Sequence, residues 1–252
     1  MMQAVRVALC QIFGLDGDRS GNFVRIENAL RQAAGEGADI ACFPEAILLG
    51  WVNDEAHRRA CAIPGPDTER LAGLARQYGI WICAGICEKS GTRLYDSAVL
   101  IDDAGEIRLR HRKINILTEL MTPPYTPGEE VAAVETPFGR LGVLICADTF
   151  REDILDRMAM LRCDLLLVPY GWAAPEDKWP DHAEALRDVV SHAAVRTGAA
   201  VVGVNLVGTI TKGPWAGQVY GGQSVACDKG GAALLTLADR DRDIRSVRIA
   251  LA

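Results

Sequence analysis

Leu141-Gly142-Val143-Leu144-Ile145-Cys146-Ala147-Asp148 is the stretch on which the reading of this chain turns. A short, continuous apolar run of this kind reads as a strand buried on both faces. The turn Pro137-Phe138-Gly139 leads into it. After it, Ile154, Met158 and Leu161 recur at helical spacing, and residues 164–169 form a second apolar run. Strand, helix and strand in that order make a layered α/β unit. Cys146 then ends a strand just ahead of a helix, where the helix dipole favours a thiolate. A small buried hydrophobe is the other reading of the same cysteine.

The pattern continues outward in both directions. Towards the N-terminus, residues 5–12 alternate as a strand. Phe23, Ile26, Leu30, Ala33 and Ala34 form a helical stripe that Gly35 can close. Residues 39–43 are a short strand stopped by Pro44, and Leu71, Leu74, Ala75 and Tyr78 make a further helix, ending at Gly79. Residues 80–86, 95–101 and 106–113 read as strands, and residues 122–128 as a Pro-rich loop. Towards the C-terminus, Ala183, Leu186, Val190 and Ala194 mark a longer helix ending at Gly198. Strands are expected at 201–207, 219–227 and 232–237, with 244–251 as a further candidate. Short turns near Asp103 and Asp228 join strands directly, so the sheets should be mixed and not purely parallel. The expectation is one α/β domain over residues 1–252.

Composition narrows the function. The 252 residues carry 27 Lys plus Arg against 33 Asp plus Glu, a formal net charge of −6. There is no basic field to displace counterions from phosphate, so nucleic acid is not the expected partner. The hydrophobic fraction of 49% excludes a disordered chain. Apolar runs are broken by Pro, Tyr, Gly or Asn before they reach the ~18 residues a membrane span needs. No secretory pattern is expected at the start, MMQAVRVALC. The 8 cysteines include no CxxC pair, and most lie in apolar stretches. They read as reduced thiols in a cytoplasmic setting. No GxGxxG or phosphate-binding loop motif is present, and the four histidines lack zinc-site spacing, so neither a cofactor nor a metal is expected. Gly222-Gln223-Ser224 is a near miss for a serine-hydrolase elbow, and it sits between strands.

Two further segments stand beside Cys146. Phe43-Pro44-Glu45 puts a carboxylate just past a buried strand, at the rim where α/β proteins bind ligands. A solvated loop glutamate is the alternative. In Arg110-His111-Arg112-Lys113, period two places Ile107, Leu109, His111 and Lys113 on one face and the arginines on the other. Lys113 then shares an apolar face, which suits a buried electrophile. A basic edge strand that discourages aggregation is the alternative. A thiol, a carboxylate and an ammonium at strand ends suffice for acyl transfer: attack, proton relay and oxyanion stabilisation.

These segments, in this order, resemble the nitrilase (carbon–nitrogen hydrolase) superfamily. The similarity continues through Asp164 to Trp172 (DLLLVPYGW), the helix and AAVVGVN stretch ending at Asn205, and Tyr220-Gly221-Gly222-Gln223-Ser224 with Asp228-Lys229-Gly230. The resemblance implies an α-β-β-α sandwich of two mixed sheets flanked by helices, associating as a homodimer or higher homo-oligomer. It implies Cys146 as nucleophile, Glu45 as general base and acid, Lys113 and the Ala147 N–H at the oxyanion, and Tyr170, Gly171 and Trp172 along the substrate pocket. A second glutamate before a Pro-Gly loop is also implied, with Glu119 as the candidate ahead of Thr126-Pro127-Gly128. The expected partner is a small amide or carbamoyl compound. A nitrile substrate is an alternative, although nitrilases commonly follow the cysteine with Trp-Glu, where this chain has Ala147-Asp148. A non-catalytic ligand-binding member of the same fold is another.

Overall fold

A computed structural model describes residues 4–179 and 181–251. The first half builds β1 (Ala4–Gln11), α1 (Arg19–Gly35), β2 (Ile40–Cys42), α2 (Ala56–Arg59), α3 (Pro66–Tyr78), β3 (Trp81–Ser90), β4 (Arg93–Ile101) and β5 (Ile107–Arg112). The second half builds β6 (Ala133–Thr136), β7 (Gly139–Val143), α4 (Glu152–Met160), β8 (Leu165–Tyr170), β9 (Ala173–Ala174), α5 (Asp181–Thr197), β10 (Ala200–Asn205), β11 (Val207–Thr209), β12 (Val219–Gly221), β13 (Val225–Cys227), β14 (Ala233–Thr236) and β15 (Asp243–Ala250).

Local chemistry accounts for the helices. The Asp18 side chain accepts the Gly21 N–H at 3.0 Å and caps α1, whose Phe23, Ile26, Leu30 and Ala33 are buried. Pro66 begins α3, where its missing N–H costs nothing, and Gly79 ends it at φ +59°, which favours glycine.

The strands form two sheets with matching plans. One has the order β15-β1-β2-β3-β4-β5, the other β14-β13-β10-β8-β7-β6. In each, a parallel triplet (β1-β2-β3 and β10-β8-β7) is flanked by antiparallel strands. The sheets are mixed, as the short turns implied. The segment after Asp239 pairs antiparallel along the whole of β1, from Gln11–Asp243 to Ala4–Ala250.

Period two in β1 sets the layers. Val5, Val7 and Leu9 join the core that also holds β7, β8 and β10, whereas Ala8, Cys10 and Ile12 join the core beneath α1 and α3. Helices α4 and α5 cover the other sheet through Ile154, Leu155, Met158, Leu186 and Val190. The result is the expected α-β-β-α sandwich. β2 and β8, the middle strands of the two triplets, pack against each other. The loops leaving their carboxyl ends therefore meet, which is where open α/β sheets place ligands.

A third sheet, β11-β12-β9, was not expected as a unit. The run read as one strand over 219–227 is two, broken by Gly222 and by Gln223 at φ +56°.

Candidate active site

Glu45 follows β2, Lys113 follows β5, Cys146 follows β7 and Gly171 follows β8. Lys113 Nζ donates to Glu45 Oε1 in a short ion pair, with both side chains buried. The Gly171 N–H donates to the other oxygen, Oε2, at 2.6 Å. The thiol of Cys146, 4% exposed, has Glu45, Lys113 and the Gly171 N–H as its electrostatic neighbours. The structure thus brings Glu45, Lys113, Cys146 and Gly171 together. The period-two face holds as well: Leu109, His111 and Lys113 are buried. Arg108 and Arg110, on the other face, reach Asp102 and Glu88 from the exposed side of the edge strand.

Backbone geometry fixes Cys146 and the segment that carries Glu45. β7 ends at Val143, three residues earlier than the sequence run suggests, and Cys146 opens a 3-10 turn over Cys146–Phe150. Cys146 has φ +40°, and Ala46, beside Glu45, has φ +47°. Side-chain-bearing residues in this region cost ~1–3 kcal/mol each and persist where the surroundings impose them. Ala147 is the second residue of the 3-10 turn, a position whose N–H has no acceptor within the turn. The close approach on the Glu45 side depends on Gly85, since a Cβ there would lie 2.5 Å from the Glu45 Cα. Gly85→Ala should cost about 1–3 kcal/mol through overpacking against backbone. A melting temperature equal to that of the parent would contradict this.

The charge state of the thiol differs from the sequence expectation. Burial pushes Cys146 well above the ordinary thiol value, and the Glu45 carboxylate adds to this; Lys113 and the Gly171 N–H only partly offset it. A five-residue 3-10 turn offers little dipole to oppose burial. Burial thus favours the neutral thiol, and the Glu45 carboxylate is the basic group beside it. Burial opposes the Lys113 ammonium too, but Glu45 and Asp96 outweigh it and hold the group above its ordinary value.

Asp148 binds two of these segments together. Its Oδ1 accepts the N–H groups of Ile114 and Asn115 at 2.9 and 2.8 Å. Its Oδ2 pairs with His111 Nε2 at 2.7 Å and accepts the Ile145 N–H at 3.1 Å. Asn115 Nδ2 adds a bond to the Ala147 carbonyl at 2.7 Å. The lysine segment and the cysteine turn are thus held by one buried carboxylate.

The remaining expected residues lie elsewhere. Glu119 is exposed on the turn Thr118–Leu120 and is not brought to the cluster; the second carboxyl group at Lys113 is Asp96, with Oδ2 3.4 Å from Nζ. Tyr170 takes part through its carbonyl, which accepts the Glu45 N–H at 3.3 Å, while its phenol meets Thr149 at 3.0 Å. Trp172 stacks on His182 and lines a groove of about 430 Å³ with Phe150, Val189 and His192. Trp51 is the aromatic at the cluster, its ring 5.5 Å from Lys113 Nζ. Among the described residues, no three His, Cys, Asp or Glu side chains cluster so as to hold a metal ion. No helix among them is long and apolar enough to cross a membrane.

A carbon-nitrogen hydrolase family model matches residues 6–252. The chain belongs to the carbon-nitrogen hydrolase family. It is 26% identical over 222 residues to a bifunctional nitrilase/nitrile hydratase of Nicotiana tabacum, covering 80% of this chain and 61% of that protein. It is 29% identical over 178 residues to an omega-amidase of Xenopus tropicalis, covering 67% and 64%. The chain therefore spans less than two thirds of the length of these relatives. A mutant amidase from Nesterenkonia sp. AN1, carrying the acetamide moiety of fluoroacetamide on its active-site cysteine, superposes with a TM-score of 0.84 at 23% identity. That match covers 98% of this chain and 91% of the other, and it shows a shared fold.

Proposed function

We propose that this chain is an amidase-type hydrolase. It cleaves the C–N bond of a small carboxamide or N-carbamoyl compound through a thioester on Cys146. The observation carrying this reading is the buried convergence of Glu45, Lys113 and the Gly171 N–H beside the buried Cys146 thiol.

Glu45 accepts the Cys146 proton as sulfur attacks the substrate carbon and the C=O electron pair moves to oxygen. Lys113 and the Ala147 N–H stabilise the oxyanion. As the tetrahedral adduct collapses, the C–N bond breaks and Glu45 gives its proton to the departing nitrogen. Ammonia or an amine leaves, and the thioester remains. Water then gives a proton to Glu45 and adds to the thioester. The C–S bond breaks, Cys146 regains its proton, and the acid is released.

Glu45→Gln keeps the shape of the base and removes its proton affinity. Turnover should fall by at least about a hundredfold, the usual scale for a general base. A rate within threefold of the parent would refute the role. A nitrile substrate is the second reading, supported by the name of the tobacco relative. Assaying matched amide and nitrile pairs for acid and ammonia decides between them, because amide hydrolysis exceeding nitrile hydrolysis supports the first.

A further inference from the structure

Asp96 sits in the middle of β4, paired across the strand with Cys87 of β3, and its carbonyl accepts the Lys113 N–H at 2.8 Å. Its side chain is 1% exposed and serves no turn, cap or strand end. Oδ2 is 3.4 Å from Lys113 Nζ, and Oδ1 has no hydrogen-bond partner among the described residues. Asp96 and Lys113 also line one enclosed cavity with Trp51, Leu120, Met121 and Tyr125. A buried carboxyl group with one oxygen unsatisfied is costly. Its cost has to be set against something that a neutral side chain would not supply.

The catalytic cycle supplies the reason. Glu45 is the closest partner of the Lys113 ammonium, yet as general base it becomes a neutral acid once in each half-reaction. At that moment Lys113 must release Glu45 and turn to the oxyanion without losing its place or its proton. We propose that Asp96 is a positioning residue that anchors Lys113 independently of Glu45, keeping the ammonium charged and in register while Glu45 carries the thiol proton. The geometry stands on its own; the rate effect rests on the hydrolase reading. Burial and the nearby Glu45 push the Asp96 carboxyl well above its ordinary value, with Lys113 opposing. The Glu45 carboxylate is one cause of that rise, so Asp96 holds its negative charge most readily when Glu45 is neutral. The titratable groups around it are Glu45 after β2, Cys87 on β3, Lys113 after β5, Tyr125 in the Pro-rich loop and Cys146 after β7.

The test is Asp96→Asn, which keeps the shape and removes the anionic form. Two quantities are measured in the intact chain. One is the rate of Cys146 alkylation by iodoacetamide against pH, read by peptide mass spectrometry, which needs no substrate. The other is kcat and KM on an amide. With one competitor for Lys113 gone, the alkylation curve should move to lower pH by about one unit, equivalent to about a tenfold change in the thiol's ionisation constant. The kcat should fall about tenfold or more, with KM within about threefold, as for an interaction made in the transition state. A purely structural role would lower the melting temperature and leave both the curve and kcat in place, and that outcome overturns the proposal. If the Asn variant does not fold, Asp96→Ser, which leaves room for a water, is read by the same criteria. A shifted alkylation curve in a chain that turns over no amide removes the hydrolase reading and keeps the anchor. Normal turnover with an unshifted curve removes the anchor alone.

Discussion

Cys146→Ala should end turnover, with amide hydrolysis lost by at least ~10⁴-fold, the scale on which a catalytic nucleophile counts. No other thiol can take its place. Cys87 is pushed up to about 12 by burial, and its sulfur faces the Tyr125 hydroxyl at 3.4 Å. Cys42 is pushed well up by burial and by its neighbour Cys83, on the adjacent strand. Cys146 is the thiol beside the buried Glu45–Lys113 pair, with the Gly171 N–H as a backbone donor. The loss should appear as missing ammonia release and as a missing acyl adduct when the parent is quenched during turnover. Because alanine fills less space than cysteine at a site already tightly enclosed, the fold should survive with a melting temperature near that of the parent. Turnover above a thousandth of the parental rate would mean that the acyl group never rests on this sulfur.

Three members of the cluster were legible in the sequence for a common physical reason. Each lies just past a strand, and hydrophobic patterning reports where strands stop. Lys113 was further marked by period two, since it fell on the face of Leu109 and His111. Asp96 was not legible, although its strand was. Its role depends on which residue of β4 lies level with the end of β5, and register across strands is set by the whole sheet. The same holds for Asp148, whose four partners come from three separate points in the chain. Glu119 was favoured by its place along the chain, between Lys113 and the Pro-Gly loop. The backbone instead turns it outward at Thr118–Leu120, while Leu120 takes the buried position. The thiol's charge state was misjudged because a dipole argument can be made from order alone, whereas burial cannot. The small sheet β11-β12-β9 joins segments too short to carry a pattern.

The second large effect is expected at Asp148. Asp148→Ala should remove about 3–5 kcal/mol of stability, the range for breaking a buried pair by deleting one partner. Four hydrogen bonds end on this carboxylate, and the His111 ring has no other partner among the described residues, its Nδ1 being already unsatisfied. Burial alone would raise the Asp148 carboxyl, but His111, the Asn115 N–H and Lys113 outweigh it and hold the group below its ordinary value. The sign of the pH dependence follows from that direction. A carboxyl group depressed in the folded state stabilises fully above its unfolded value, about 3.9. That contribution is lost as pH falls below it, through the folded value, because protonation must then break the network. Asp148→Asn keeps the volume and two of the accepting contacts but not the charge. It should therefore lose less at neutral pH than the alanine variant, and its denaturation midpoint should change less on acidification below pH ~4. Urea unfolding of the three proteins across that range measures both. If alanine at 148 left the midpoint within about 0.5 kcal/mol of the parent, a typical surface change, the lysine and cysteine segments would have to be held together by some other contact.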